Sequence, residues 1–265
     1  MLVTPDWCLQ RMEDPGIRIV DCRYLLGKPG AGFQLYQKSH IPNAIHLDVD
    51  RDLAGHGGPG RHPIPRPLDF SRTMSNAGID QNIHVIAYDD SGGAWAARLW
   101  WLLGFFGHEK VSLLDGGWTK WMAEGKPVNA GIPTVKARSF KASPHPDWVV
   151  NKEYVSAHCT LHSALLLDAR APERYRGEVE PIDPKAGHIP GAKNAPFANN
   201  VSADKTFKTA EELKKQWEPL GVFEAEEIIS YCGSGVTACN NIFALKLLGL
   251  DSKLYEGSWS DWCRD

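Results

Sequence analysis

The segment Ile228-Ile229-Ser230-Tyr231-Cys232-Gly233-Ser234-Gly235-Val236-Thr237 passes from a short apolar run into a glycine-rich turn. A short apolar run that stops at turn residues is typical of a buried strand. The apolar stretch that follows, residues 237–248, has the length of a helix and stops before Gly249, the kind of residue that commonly ends one. The sequence therefore predicts that Cys232 lies where a strand ends and a helix begins.

Blocks of the second half of the chain have counterparts in the first half, in the same order. The paired blocks are residues 19–23 and 166–170, 40–44 and 188–192, 86–89 and 229–232, and 115–121 and 256–262. The offset within a pair stays between 141 and 148 residues, and chance similarity does not preserve both order and spacing. We interpret the pattern as a duplicated domain.

The segment between the copies, residues 126–147, is rich in proline and has no clear periodicity, as expected of a linker. We therefore predict one domain at residues 1–125 and a second at residues 148–265.

Short apolar runs alternate with helical stretches in both copies. Examples of predicted helices are residues 94–103 and a helix that starts with the capping box of Thr209 and runs to about Trp217. The alternation predicts an α/β fold with two tandem domains, each an open, mostly parallel sheet flanked by helices. Ligands of such sheets bind at the carboxyl ends of the strands, which is where Cys232 is expected.

Composition narrows the class of protein. The 265 residues are 43% hydrophobic and 23% charged, as in ordinary globular domains, and the formal net charge of −3 gives no general attraction to nucleic acid or to an anionic membrane. The first residues lack the pattern of a signal peptide, and no apolar run is long enough to span a bilayer. We expect a cytoplasmic protein with neither nucleic-acid nor membrane partners. The six cysteines include no C-x-x-C pair, so no metal site is predicted.

The loop after Tyr231 has the composition of an anion-binding turn. Gly233 and Gly235 allow the backbone to turn its N–H groups inward, and the start of the following helix adds its positive dipole end. A thiolate at such a position is stabilised and nucleophilic. Ser234 and Thr237 can add hydroxyl donors. The first copy has Asp89 in place of Cys232, where we expect an acid to repel an anion, so the second copy is predicted to be the active one.

These residues resemble the tandem rhodanese family. Cys-Gly-Ser-Gly-Val-Thr-Ala (232–238) is similar to the active loop of 3-mercaptopyruvate sulfurtransferases, and Gly-His-Ile-Pro-Gly-Ala (187–192) is similar to a second signature of the family. The resemblance implies a sulfurtransferase in which Cys232 takes sulfur from a small anionic donor as a persulfide. It further implies transfer to cyanide, a thiol or a thioredoxin-like acceptor, with no cofactor.

The same resemblance indicates the substrate-binding residues. Arg174 matches the family arginine that binds the donor, and the loop residues Gly233, Ser234, Gly235, Val236 and Thr237 match the loop that surrounds the transferred sulfur. The second arginine that mercaptopyruvate enzymes tend to carry before Gly-His-Ile-Pro is missing; Lys185 is the alternative cation there. We favour 3-mercaptopyruvate as the donor, with thiosulfate a close second.

Other residues are assigned structural roles. The pairs Asp21/Arg23 and Asp168/Arg170, and the repeated His40/His188, occur in both copies and are therefore predicted to be structural. We interpret His40 as a turn residue rather than as the histidine that joins the loop serine in some mercaptopyruvate enzymes. Cys239 is predicted to belong to the core, with a resolving role for Cys232 as the alternative. The glycine-rich residues 55–63 lack the pattern of a phosphate-binding loop and are expected to form a mobile loop.

Two other classes of function stay open at this point. One is a non-catalytic sulfur carrier or binding protein, which would accept sulfur without turning over. The other is a cysteine-loop phosphatase or arsenate reductase, but that class needs an arginine to close the loop, and Ala238 occupies this region.

Overall fold

A computed structural model describes residues 1–161 and 163–264 of the chain. They form two compact units. The first consists of Met1–Ala54, Pro65–His145 and Ala203–Phe207, and the second of Gly55–Ile64, Pro146–Ser202 and Lys208–Asp265. The second unit thus includes a segment, Gly55–Ile64, that is encoded within the first half of the sequence.

The first unit contains a five-stranded sheet in the order β1-β5-β4-β2-β3, with every pair parallel. Its strands are β1 (Leu2–Val3), β2 (Ile17–Asp21), β3 (Ile45–His46), β4 (His84–Tyr88) and β5 (Val111–Leu114). Its helices are α1 (Pro5–Leu9), α2 (Ala31–Lys38), α3 (Pro67–Asn76), α4 (Ala96–Phe105) and α5 (Gly117–Ala123).

The second unit repeats this sheet in the order β6-β10-β9-β7-β8, again with every pair parallel. Its strands are β6 (Val149–Val150), β7 (Leu165–Asp168), β8 (Lys193–Asn194), β9 (Ile228–Tyr231) and β10 (Lys253–Tyr255). Its helices are α6 (Lys152–Leu161), α7 (Pro172–Tyr175), α8 (Ala210–Trp217), α9 (Ala238–Leu247) and α10 (Ser258–Trp262). The identical strand order confirms the predicted duplication and the predicted α/β fold.

The helix boundaries show how side chains compete with the helix for backbone groups. The capping box of α8 is present, with the Glu212 N–H donating to Thr209 Oγ1 at 3.3 Å and the Thr209 N–H donating to the Glu212 carboxylate at 2.9 Å. By contrast, α4 begins at Ala96 rather than at Ala94 as predicted. The reason is that the Asp89 carboxylate binds the N–H groups of Trp95 and Ala96, both at 2.8 Å, and so holds the chain before Ala96 in the loop.

A buried ion pair recurs at the same place in both sheets. In the second unit Arg170 donates to Asp168 at 2.6 Å and to the Gly187 carbonyl at 2.7 Å, and its guanidinium lies 4.9 Å from the Trp259 ring centre. Asp21 and Arg23 form the equivalent pair, also at 2.6 Å. Both pairs are almost completely buried and fully hydrogen-bonded, which confirms the structural role predicted for them.

The register of the central strands places the ends of β7 and β9 side by side. Asp168 is paired with Tyr231, the residue immediately before Cys232. Cys232 therefore leaves the sheet at its carboxyl edge, at the position predicted for a ligand site. No helix among the described residues is long and apolar enough to cross a membrane.

Candidate active site

Cys232 is held by the first turn of α10 as well as by its own strand. Its backbone N–H donates to Ser258 Oγ at 3.2 Å, and its carbonyl accepts from the Trp259 N–H at 3.0 Å. The Gly233 carbonyl accepts from the Ser260 N–H at 2.9 Å. Only 2% of the Cys232 surface is exposed, so access to the thiol is narrow and its orientation is fixed by the surrounding backbone.

The two glycines of this loop have different surroundings. Gly235 has a φ of +77°, in the left-handed region, and a Cβ there would lie 2.7 Å from the Glu256 carbonyl oxygen. At Gly233 a Cβ would lie 2.9 Å from Nη2 of Arg61 and 3.4 Å from Nη1 of Arg174. Two guanidinium groups therefore approach the loop backbone directly beside the cysteine.

The first unit shows what a loop of this shape binds. The Asp89 carboxylate, which occupies the position of Cys232, accepts hydrogen bonds from the N–H groups of Ser91, Gly93, Trp95 and Ala96 at 2.8–2.9 Å. Burial raises the pKa of Asp89, and these four bonds counteract that shift. That an acid at this position would repel a further anion stays a prediction; the structure adds that the Asp89 carboxylate itself accepts the N–H bonds of the loop. Through the repeat, Cys232 occupies the position of this carboxylate in the second loop, while the Cys239 N–H, the counterpart of the Ala96 N–H, donates to the Val236 carbonyl at 3.1 Å.

Arg174, the predicted donor-binding arginine, lies at the end of α7 beside the loop. Its Nη2 donates to Glu180 Oε1 at 2.7 Å and lies 3.4 Å from Asp183 Oδ2, while its Nη1 faces Gly233. Arg176 instead pairs with Glu178 at 2.6 Å, and both side chains are more than half exposed.

The structure adds a second arginine that the sequence analysis missed. Arg61 belongs to the segment Gly55–Ile64 and forms an ion pair through Nη1 with Asp183. The segment is fixed by its own backbone, since the Arg61 N–H donates to Ser260 Oγ and the Ile64 N–H donates to Glu256, each at 3.0 Å. The glycine-rich segment, which we predicted to be a mobile loop, therefore packs against α10 and the residues that precede it.

Two acidic side chains, Glu180 and Asp183, contact these arginines, and their pKa values are shifted in opposite directions. Burial acts to raise the pKa of Glu180, but its hydrogen bonds from Arg174 and from the backbone of Asp183 and Ile182 outweigh burial, so its pKa is below the ordinary value. Burial raises the pKa of Asp183 above its ordinary value, helped by repulsion from Glu180 and opposed by Arg61 and Arg174. Both side chains are 4% exposed.

A histidine from the same segment contacts the loop serine. His62 Nδ1 lies 2.7 Å from Ser234 Oγ, and both residues are buried. His40 lies in the first unit, with its Nδ1 2.8 Å from the Tyr36 carbonyl, which confirms the predicted local role. The block Arg61-His62-Pro63 carries no motif that marks it as part of a site, and only its contacts reveal it.

The remaining predicted loop residues and several other cysteines have surroundings typical of residues with a structural role. Val236 is buried, and Thr237 precedes α9 without a side-chain cap bond among the described residues. The Cys239 thiol donates to the Gly235 carbonyl at 3.3 Å and is fully buried, consistent with a core residue. Burial raises the pKa of Cys8 to about 12 and that of Cys22 well above its ordinary value, which keeps both thiols protonated at neutral pH.

The fold and the site together define a duplicated α/β protein with one cysteine loop and one carboxylate-filled counterpart. A model of the rhodanese-like domain matches residues 4–124 and again residues 151–265. The chain is 41% identical to a probable 3-mercaptopyruvate sulfurtransferase of Pseudomonas aeruginosa, over 100% of this chain and 95% of the relative. It is 35% identical to a putative thiosulfate sulfurtransferase, SseB, of Mycobacterium tuberculosis, over 95% of this chain and 89% of the relative.

A solved structure gives the same result. The crystal structure of SseA from Escherichia coli, described as a 3-mercaptopyruvate sulfotransferase with a rhodanese fold, superposes with a TM-score of 0.88 at 36% identity and covers 98% of both chains. The chain belongs to the rhodanese family.

Proposed function

We propose that this chain is a sulfurtransferase in which Cys232 takes a sulfur atom from a small anionic donor and passes it to a nucleophilic acceptor. The observation that carries the proposal is the equivalent position of the two loops, which follow β4 and β9 at the carboxyl edges of the two sheets. One loop binds a carboxylate with backbone N–H groups, and the other places a cysteine at the same point with two arginines beside it. The relatives named as sulfurtransferases support the same chemistry.

In the first step the Cys232 thiolate attacks the sulfur of the donor. With 3-mercaptopyruvate the S–S bond forms as the carbon–sulfur bond breaks, and the electron pair of that bond passes to the carbon, giving the enolate of pyruvate. Protonation of the enolate releases pyruvate, and Cys232 keeps the sulfur as a persulfide. The inward N–H groups of the loop stabilise the negative outer sulfur.

In the second step an acceptor removes the outer sulfur. Cyanide, a small thiol or a thioredoxin-like dithiol attacks that sulfur, the S–S bond of the persulfide breaks, and its electron pair returns to Cys232 as the thiolate. With cyanide the product is thiocyanate. The enzyme thus returns to its starting state without a redox cofactor, because the two electrons that the sulfur gives up in leaving 3-mercaptopyruvate pass to the carbon that becomes the methyl group of pyruvate.

Ser234 and His62 are placed to assist the first step. The Ser234 hydroxyl lies in the loop next to Cys232 and is hydrogen-bonded to the His62 ring. A hydroxyl at this point can donate to the carbonyl oxygen of a keto acid donor as negative charge develops on it. Thiosulfate has no such carbonyl, so this pair favours the mercaptopyruvate reaction.

The donor preference follows from charge and from the relatives. The loop residues Gly233 and Ser234 are neutral, and the cations beside them, Arg61 and Arg174, present planar guanidinium forks suited to a carboxylate. The named 3-mercaptopyruvate sulfurtransferase relative is 41% identical, and the named thiosulfate sulfurtransferase relative is 35% identical. We therefore assign 3-mercaptopyruvate as the preferred donor and thiosulfate as the weaker one.

The test is to supply each donor with cyanide and to measure thiocyanate. Cys232→Ala should form none above the uncatalysed rate, whereas Cys159→Ser, which changes a partly exposed thiol of α6, should match the wild type. After donor alone, mass spectrometry should find one added sulfur atom on the peptide that contains Cys232. Continued turnover with cyanide separates an enzyme from a carrier that accepts sulfur once. Equal thiocyanate formation by wild type and Cys232→Ala would refute the proposal.

A further inference from the structure

Arg61 is not fully paired by its present neighbours. Its Nη1 is bound to Asp183, but its Nε is buried and has no hydrogen-bond acceptor among the described residues. Nε and Nη2 lie on the same side of a guanidinium group and together form a fork that matches the two oxygens of a carboxylate. In Arg61 Nη2 points toward Gly233, so this fork faces the cysteine loop.

Asp183 forms ion pairs with the two arginines, as the carboxylate of a substrate would. It contacts Arg61 through Oδ1 and Arg174 through Oδ2, and only 4% of its side chain is exposed. A buried carboxylate between two guanidinium groups shows that the position accepts a carboxylate in size and charge. Asp183 stands in the segment 181–185, where the family resemblance implies a second arginine and where this chain has Lys185 as its cation.

The location of Arg61 also discriminates between donors. Nη2 of Arg61 and Nη1 of Arg174 converge on Gly233, one residue beyond Cys232. In 3-mercaptopyruvate two carbon atoms separate the sulfur from the carboxylate, whereas in thiosulfate the sulfonate is bonded directly to the transferred sulfur. A sulfur at Cys232 and a carboxylate at Gly233 therefore fit the longer donor.

We propose that Arg61 is the specificity-determining residue of this site and binds the carboxylate of a 3-mercapto-2-oxo acid, which replaces Asp183 on its guanidinium group. Arg61 thus supplies the second cation from the segment Gly55–Ile64 instead of from the segment before Gly187. Asp183 competes with the donor, and it keeps the two arginines at the loop until the donor binds. The inference rests on the proposed sulfurtransferase function.

The experiment compares Arg61→Gln, Arg61→Lys and Asp183→Asn with the wild type, using both donors and cyanide. Arg61→Gln should raise the KM for 3-mercaptopyruvate about 10- to 100-fold, the range for losing hydrogen bonds to a charged group, and change the KM for thiosulfate less than about threefold. Arg61→Lys keeps the charge but not the fork, so its KM should be intermediate. Asp183→Asn should lower the KM for 3-mercaptopyruvate.

Arg176→Gln is the matched control, because Arg176 is an exposed arginine paired with Glu178, and its kinetics should equal those of the wild type. The Arg61 substitutions should preserve the fold, because the segment is fixed by the backbone N–H of Arg61 rather than by its side chain. Circular dichroism checks this point for each variant.

Binding of pyruvate provides a readout that does not depend on turnover. Calorimetric titration should show weaker pyruvate binding by Arg61→Gln than by the wild type, and equal binding by Arg176→Gln. An unchanged KM for 3-mercaptopyruvate in Arg61→Gln, or equal losses with both donors, overturns the assignment of Arg61. If the wild type transferred no sulfur at all, the proposed function would fail, and the pyruvate titration would still decide whether Arg61 binds a carboxylate.

Discussion

Asp89→Asn removes one of the two oxygens around which the loop of the first unit is organised. Oδ1 accepts from Ser91 and Gly93, and Oδ2 accepts from Trp95 and Ala96. Asparagine offers one oxygen, so two backbone N–H groups lose their acceptor and face an amide NH₂ instead. A buried donor without a partner costs about 1–3 kcal/mol, which gives about 2–6 kcal/mol for two.

Part of this cost is recovered, because the substitution also removes a buried charge, and burial disfavours the ionised form of Asp89. We therefore expect the free energy of unfolding to fall by about 2–4 kcal/mol, a large part of the ~5–15 kcal/mol that stabilises a typical domain. Urea denaturation followed by tryptophan fluorescence and circular dichroism measures the change.

Asp90→Asn is the control, since the Asp90 carboxylate accepts a hydrogen bond from the Ser91 hydroxyl at 3.1 Å and its side chain is partly exposed. It should change the free energy of unfolding by less than about 0.5 kcal/mol, as is usual for surface positions. If Asp89→Asn stayed within about 0.5 kcal/mol of the wild type, the interpretation of Asp89 as the anion of its loop would be wrong.

Two further predictions concern the second unit. Ser258, whose φ is +52°, accepts a hydrogen bond from the Cys232 N–H and donates one to the Tyr255 carbonyl. Ser258→Ala should therefore lower kcat for thiocyanate formation about tenfold, which corresponds to ~1.4 kcal/mol in the transition state. Ser258→Gly also relieves the strain of the left-handed backbone, so this variant should melt at a higher temperature than Ser258→Ala. A kcat of Ser258→Ala equal to that of the wild type would contradict the role of Ser258 in holding the Cys232 backbone. Glu180 has a pKa below its ordinary value of 4.5, so it stabilises the fold above that pH, and the contribution is lost as the pH falls through the lowered pKa. The difference in unfolding free energy between wild type and Glu180→Gln should therefore be constant near neutral pH and shrink below about pH 4.5, and a difference that did not change in acid would disprove the linkage.

The sequence was sufficient for those parts of the fold that depend on local patterns. The strand Ile228–Tyr231 is a short apolar run bounded by turn residues, and it occurs as predicted. The duplication also followed from sequence, because the repeated blocks keep their spacing. The start of α4 was missed by two residues, since the hydrogen bonds from Trp95 and Ala96 to Asp89 depend on the folded loop and leave no mark in the helical pattern.

The candidate site, like the fold, has one part that the sequence predicts and another part that depends on packing in the folded chain. Cys232 and its loop are contiguous, so their composition was enough to single them out, and Arg174 was found through family resemblance. Arg61 and His62 lie 171 and 170 residues before Cys232, and their presence at the loop depends on packing against Ser260 and Ser234. The hydrogen bonds of Asp89 were not foreseen, because its charge was considered without the backbone N–H groups that bind it. The ranges predicted for the two domains stay a prediction.

The segment Gly55–Ile64 makes the second unit depend on residues from the first half of the chain. A polypeptide cut within residues 126–147 would separate the sheet that carries Cys232 from Arg61 and His62, because both residues precede the break in the sequence. The second half of the chain alone would therefore lack two of the side chains that lie beside its cysteine loop.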